Sequence, residues 1–359
     1  IDICNCCGMA YVNPIPDQQS WNRYYANLSK YDFFVQSIGK YDQLRFDNVV
    51  DFLISNKINR KSGILDIGCG SGGLLTTLKK NGFIYLRGLE PSLRVNGTFD
   101  DDQIQIMSGS LEQLNTYRKY DLIILEGVLE HIAGLNPFME KISCMQNVDA
   151  LLYTNVPDGS RMNCCSDGPF QQFSVEHVNF FSPQLLKRLM LAQGYTCVSM
   201  QQNQQDIASD VQVASLMMLW QKKDVLSANG DYKDEALQQE LAQYIERSQA
   251  LFESLSNVID SIVSSDHEIY IWGTGTHTLR LMANSNLKYA RIRAFFDSNP
   301  NYQGRSIMNI PIISADTEKI SPETPILVSS YIAQQDIIRQ IKHSLKLPNE
   351  VIVLYPNRV

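Results

Sequence analysis

The stretch Asp66-Ile67-Gly68-Cys69-Gly70-Ser71-Gly72 holds the densest chemistry in the chain. Glycines at alternate positions permit a sharp turn and let a ligand approach the backbone. Asp66, two residues before the first glycine, offers a carboxylate to an ammonium group or to the loop itself. Glu90 ends a strand-like run 24 residues beyond Asp66 and is placed to accept hydrogen bonds from two ribose hydroxyls. A third run ends at Ser110-Leu111, which suits the edge and face of an adenine, and a fourth ends at Glu126-Gly127. The candidate cofactor-binding residues are Asp66, Gly68, Cys69, Gly70, Gly72, Glu90, Pro91, Ser110, Leu111, Glu126 and Gly127. A dinucleotide sets its pyrophosphate at the helix N-terminus after such a turn. A ligand with a zwitterionic amino acid sets its ammonium near Asp66 instead.

Acid–base chemistry has three candidates. His131 follows the fourth strand, and Glu176 and His177 stand side by side in Phe173-Ser174-Val175-Glu176-His177-Val178-Asn179-Phe180-Phe181-Ser182, beyond the fifth. Histidine titrates near neutrality, and a neighbouring carboxylate tunes it. These are expected catalytic residues, with no metal assigned to them. Tyr31 and Tyr41 are aromatic candidates for covering a bound cofactor.

The elements that must position these residues come in two blocks of alternating strand and helix, the pattern of a parallel α/β sheet. Five strands are read in the first: Gly63–Ile67, Ile84–Leu89, Ile104–Met107, Tyr120–Leu125 and Ala150–Asn155. In an open parallel sheet, ligands bind beyond the carboxyl ends of the strands. The second block opens with Ile269–Trp272, a Gly273-Thr274-Gly275 turn and a helix carrying His277 and Arg280 as possible anion partners. Its next strand, Ile292–Phe296, ends in Asp297. The expected domains are an N-terminal cysteine knuckle with an aromatic helical lid over 1–60, a ligand-binding α/β domain over 61–232, one connecting helix over 233–265, and a smaller α/β domain over 266–359.

With 359 residues the chain has room for two domains or three. Apolar residues make up 44% and charged residues 19%, which excludes a disordered or fibrous chain. The net charge of −7 carries no basic cluster, which argues against nucleic acid as a partner. No apolar run approaches the roughly 20 residues of a membrane span. Eight cysteines without disulfide-framework spacing point to a reducing, cytoplasmic setting. The apolar stripe of 233–265 suits packing within the chain or a homodimer contact.

Residues 60–200 resemble the class I S-adenosylmethionine-dependent methyltransferases. The resemblance rests on the glycine turn, Glu90-Pro91, and Tyr120-Asp121 through Val128-Leu129-Glu130-His131-Ile132. It implies a Rossmann-like sheet, S-adenosylmethionine as methyl donor and S-adenosylhomocysteine as product. Ser110 stands where many relatives carry an acidic residue that binds the adenine amino group.

Cys4-Asn5-Cys6-Cys7-Gly8, followed by Asn13-Pro14, resembles half of a zinc ribbon. Structural zinc takes four ligands; Cys4 and Cys7 supply two, so packed thiols rather than bound zinc are expected here. The knuckle, the methyltransferase core, the Glu176-His177 loop and the C-terminal block together resemble the sugar C-methyltransferases of deoxysugar pathways. That resemblance implies roles for His131, Glu176 and His177 at the acceptor, a small molecule such as a sugar on a nucleotide or other carrier. The family usually has Tyr two residues before the Glu; this chain has Ser174. Two other classes stay open: a nicotinamide oxidoreductase that uses Gly273-Thr274-Gly275 with Asp297 on a ribose, and a binding protein with a vestigial core.

Overall fold

The computed structural model describes residues 1–17, 20–21, 23–24, 38–91, 104–111, 113–114, 118–223, 233–315 and 320–356. Two compact units emerge. The first comprises Ile1–Cys165, Glu176–Ile207 and Gln212–Ala242; the second comprises Ser166–Val175, Ala208–Val211 and Gln243–Val359. Among the described residues, no helix is long and apolar enough to cross a membrane.

The first unit is built on a seven-stranded sheet. Its strands are β3 (Gly63–Ile67), β4 (Tyr85–Glu90), β5 (Ile104–Ser108), β6 (Tyr120–Glu126), β7 (Gln146–Pro157), β9 (Tyr195–Ala208) and β10 (Val211–Lys222). They lie in the order β5-β4-β3-β6-β7-β10-β9. β3 through β7 pair in parallel. Their residues alternate between two cores, as the two-residue period of a strand requires. Ile123 and Leu125 of β6 face the cluster that holds Phe138, Met139 and Ile142 of α3 (Leu135–Cys144) and Leu186 and Met190 of α4 (Pro183–Ala192). Leu122 and Ile124 face the other side, where α1 (Lys40–Ser55) contributes Val49, Phe52 and Leu53. There α2 (Gly73–Lys80) contributes Leu74, Leu75 and Leu78.

The chain runs outward from β3 through β4 to β5, then returns to the far side of β3 as β6. The crevice between β3 and β6 is therefore a topological switch point, open at the carboxyl ends of the strands. Register brings the expected carboxylates to that edge: Asp66 is level with Gly88 and Ile124, Glu90 with Ser108, and Glu126 with Asn155.

The five strands expected of this block gain two more, β9 and β10, joined at Ser209-Asp210. β10 runs antiparallel to β7, and the Trp220 indole N–H donates to Thr154 Oγ1 at 2.9 Å. The polar, largely exposed face of β9 gave no apolar alternation to reveal a strand. Nearer the N-terminus, β1 (Asp2–Ile3) and β2 (Ala10–Tyr11) flank Cys4–Gly8. β2 pairs with β8 (Asn179–Phe180), which ties the N-terminus to the loop after β7.

Residues 233–265 form two helices instead of the single one expected: α5 (Glu235–Ser254) and α6 (Ser256–Ser264). Leu255, between them, keeps helical φ and ψ of −78° and −17°, so only the hydrogen-bond ladder is interrupted. The Ser254 hydroxyl donates to the Leu251 carbonyl at 2.6 Å, and the Leu255 amide to Phe252. Such side-chain and three-residue bonds compete with the α-helical ladder.

The second unit has its own sheet, ordered β13-β14-β12-β11-β15-β16. These strands are β11 (Glu268–Trp272), β12 (Arg291–Phe296), β13 (Ser306–Ile307), β14 (Ile310–Ile313), β15 (Ile326–Val328) and β16 (Val351–Val353). Only β13 is antiparallel to its neighbour among the described pairs. Ser166–Val175 is laid into this unit. Asp167 accepts from Arg247 at 3.0 Å, Gln172 at 2.8 Å and the Tyr244 hydroxyl at 3.2 Å. A side chain at Gly168 would collide with Tyr331, 2.8 Å from an ideal Cβ.

Candidate active site

The glycine turn leaves β3 and enters α2 with Gly68, Gly70 and Gly72 at φ of 76°, 53° and 79°. A side chain is strained at each of these positions. Gly68 also approaches Val128 so closely that a Cβ would lie 3.1 Å from its methyl. Cys69 turns its thiol inward, against Gly88 of β4, where burial raises its pKa; only its backbone belongs to the turn.

Asp66 is 2% exposed, and its Oδ1 has no hydrogen-bond partner among the described residues. Burial, reinforced by the charges of Glu126 and Glu90, pushes its carboxyl well above the usual range. Glu90 Oε2 accepts the Gly70 amide at 2.8 Å, locking the turn to the end of β4. Pro91 closes that strand. Glu126 accepts from Asn155 Nδ2 at 3.0 Å and from the Tyr153 hydroxyl at 3.2 Å. Burial raises the Glu126 pKa, opposed by Arg45, whose Nε lies 3.9 Å away. Gly127 follows at φ 67° and donates its amide to Asn155. The Ser110 amide donates to Gln113, while its hydroxyl is buried without a partner among the described residues. The Leu111 side chain is buried in the core.

The turn is thus ringed by three buried carboxylates with one arginine at hand. Burying like charges together is costly unless a cation joins them. A ligand that brings positive charge to this turn would relieve that cost.

The acid–base candidates gather at a second point of the same unit. A single 3-10 turn, Leu129–His131, follows β6. Asn179 Nδ2 donates to the carbonyls of Leu129 and Ile132, and the Val178 amide donates to the Glu130 carbonyl at 2.7 Å. This clamp brings the Glu176-His177 loop against the turn. His131 Nδ1 donates to the Glu176 carbonyl at 2.9 Å, and the His131 and His177 rings meet edge to face at 5.1 Å.

Two further residues belong to this cluster. Tyr24 donates its hydroxyl to Glu176 Oε1 at 2.6 Å. Nothing in its surroundings marks it, because its partner is 152 residues away. Glu130 is 4% exposed, and its Oε1 lies 3.8 Å from His131 Nε2. Burial pushes its carboxyl up to about 8. Its adjacency to His131 was a signal, but its burial depends on the clamp. Tyr31 lies outside the described residues; Tyr41 sits half-buried on α1.

Residues 39–200 match the model of a methyltransferase domain. The match runs from the start of α1 into β9 and takes in every cofactor and acid–base candidate. Residues 39–200 therefore form a methyltransferase domain. Over 101 residues the chain is 27% identical to (S)-tetrahydroprotoberberine N-methyltransferase of Eschscholzia californica, covering 26% of this chain and 29% of that protein. Over 103 residues it is 26% identical to the ubiquinone biosynthesis O-methyltransferase of Rickettsia felis, covering 27% and 42%. The chain thus spans less than half the length of these curated relatives. Among solved structures, the Burkholderia thailandensis 1,6-didemethyltoxoflavin-N1-methyltransferase is 16% identical with a TM-score of 0.43, covering 62% of this chain and 99% of that one. The donor set of the methyltransferase domain fits S-adenosylmethionine: a glycine turn open to a backbone-hugging ligand, and beside it the buried Asp66 Oδ1, without a partner among the described residues, to meet an ammonium.

Among the described residues, the second unit offers no comparable set. Asp297 spends Oδ2 on the Thr274 amide and hydroxyl and Oδ1 on the Asn299 amide. The two groups expected to supply positive charge beside that turn make other contacts. Burial lowers the His277 pKa to about 4, and its Nε2 faces the Tyr355 hydroxyl at 2.7 Å. Arg280 donates to the carbonyls of Pro169, Phe170 and Phe173.

Proposed function

We propose that this protein transfers a methyl group from S-adenosylmethionine to a small acceptor, a sugar borne on a nucleotide or other carrier. The observation that supports it best is the buried ring of Asp66, Glu90 and Glu126 around the glycine turn, with Asp66 Oδ1 unpartnered among the described residues. Bound there, S-adenosylmethionine supplies an electrophilic methyl on its sulfonium. Asp66 accepts its ammonium, Glu90 its ribose hydroxyls, and the backbone at Leu111 its adenine edge. Gly68, Gly70 and Gly72 give it access to the main chain, with Cys69 packed beneath them. The remaining work is to hold the acceptor in line and remove one proton. His131, Glu176 and His177 are the groups for that task.

Tyr24 strengthens the sugar reading. The family phenol missing at Ser174 has a counterpart, delivered from the N-terminal segment onto the same Glu176. A hydrogen bond to a charged group is worth roughly 1.5–3 kcal/mol. Tyr24→Phe should therefore lower kcat/KM roughly tenfold or more, with donor affinity unchanged.

Calorimetry with S-adenosylhomocysteine and with NAD, followed by turnover on nucleotide-linked keto and hydroxy sugars, tests the proposal. Binding of S-adenosylhomocysteine together with methylation of such a sugar is the expected result. Binding of NAD alone would replace the reading with an oxidoreductase. Binding of S-adenosylhomocysteine with turnover only on non-sugar acceptors would keep the transferase and remove the sugar.

A further inference from the structure

We propose that Glu130, His131 and His177 bind a divalent transition-metal cation. Their ligand atoms all lie within 4.8 Å of one another. His131 Nε2 and Glu130 Oε1 are 3.8 Å apart. Donors held at about 2.0–2.2 Å from a cation stand roughly 3–4 Å from each other. The three groups are thus close to coordination distance, needing only small side-chain rotations to close.

Two independent observations point to a ligand at this spot. Glu130 is 4% exposed, and its Oε2 has no hydrogen-bond partner among the described residues. A buried carboxylate oxygen lacking a donor is a standing cost that a cation removes. His131 is also held in the manner of a metal ligand. Its Nδ1–H donates to the Glu176 carbonyl at 2.9 Å, which fixes the tautomer and turns the Nε2 lone pair to the Glu130 side. Asn179 and Val178 hold the backbone of both segments, so the donors are largely preorganised.

Two imidazoles and one carboxylate suit zinc, manganese, iron(II) or cobalt(II) better than the all-oxygen preference of magnesium and calcium. Three protein ligands leave a position open. Only the use of the cation rests on the methyl-transfer reading: an acceptor oxygen would take the open position and part more readily with its proton. His131 and His177 then act as ligands, and Glu176, paired with Tyr24, is left as proton acceptor.

The test is cobalt(II) titration of the intact, chelator-treated protein, followed by calorimetry and visible absorption. Uptake with d–d bands and no thiolate charge-transfer band is expected. The cysteine set Cys4, Cys6 and Cys7 is the competing thiol site, so a C4S/C6S/C7S variant should keep these bands. Glu130→Gln and the half-exposed His177→Asn should each weaken uptake at least tenfold, with the fold verified by circular dichroism. Retention of full uptake in His177→Asn, or its loss in the triple serine variant, overturns the site. No cobalt uptake with intact S-adenosylhomocysteine binding overturns the metal site and leaves the methyl-transfer reading. Cobalt uptake without S-adenosylhomocysteine binding does the reverse.

Discussion

His131→Gln is expected to lower turnover by roughly 10²-fold or more, the loss expected when the imidazole that serves the acceptor, as proton carrier or as ligand of a cation that acidifies it, is removed. Affinity for S-adenosylhomocysteine should barely move. The reasoning is geometric. His131 sits on the turn after β6, held through Nδ1 by the Glu176 carbonyl, with His177 against its ring. The carboxylate ring at the glycine turn is built from other strands, so the two functions separate in the kinetics. Glutamine keeps a donor for the Glu176 carbonyl but has no imidazole to serve the acceptor, directly or through a cation. His177→Gln should behave similarly. If both variants turn over near the normal rate, the acceptor chemistry lies elsewhere.

Glu90→Ala should weaken S-adenosylhomocysteine binding at least tenfold. Each charge-assisted bond to a ribose hydroxyl contributes roughly 1.5–3 kcal/mol. The alanine variant also frees the Gly70 amide from its 2.8 Å bond, so part of the loss would come from a loosened turn. Glu90→Gln separates the two effects, because its amide oxygen still accepts from Gly70 while the charge is gone. An intermediate loss in the glutamine variant is the expected pattern. Unchanged affinity in both would remove Glu90 from the binding site.

Much of this was open to inspection in the residues themselves. Asp66, Gly68, Gly70 and Gly72 announce the turn because strand, glycine spacing and helix are all local. Glu90 and Glu126 are strand ends, and period-two burial made β4 and β6 readable. What stayed hidden depends on contacts distant in sequence. Tyr24 acquires meaning only through Glu176. Glu130 stands next to His131 in sequence, yet its burial is set by Asn179 and Val178 folding back over the turn. The break at Leu255 was masked by an apolar stripe that continues through it, since Ser254 acts on the backbone rather than on the pattern. Asp297 was read as a strand end, and its bonds to Thr274 and Asn299 could not be seen from its own neighbours.

The route of the backbone has a bearing on biosynthesis. The chain passes between the two units five times, at 165/166, 175/176, 207/208, 211/212 and 242/243. On the ribosome, Ser166–Val175 emerges well before the sheet it belongs to. Asp167 must wait as a hydrated carboxylate until Tyr244 and Arg247 leave the exit tunnel. Nascent chains fold domain by domain when each domain is one continuous stretch. Here the first unit can assemble its parallel strands early, while the second is completed only when translation is nearly over.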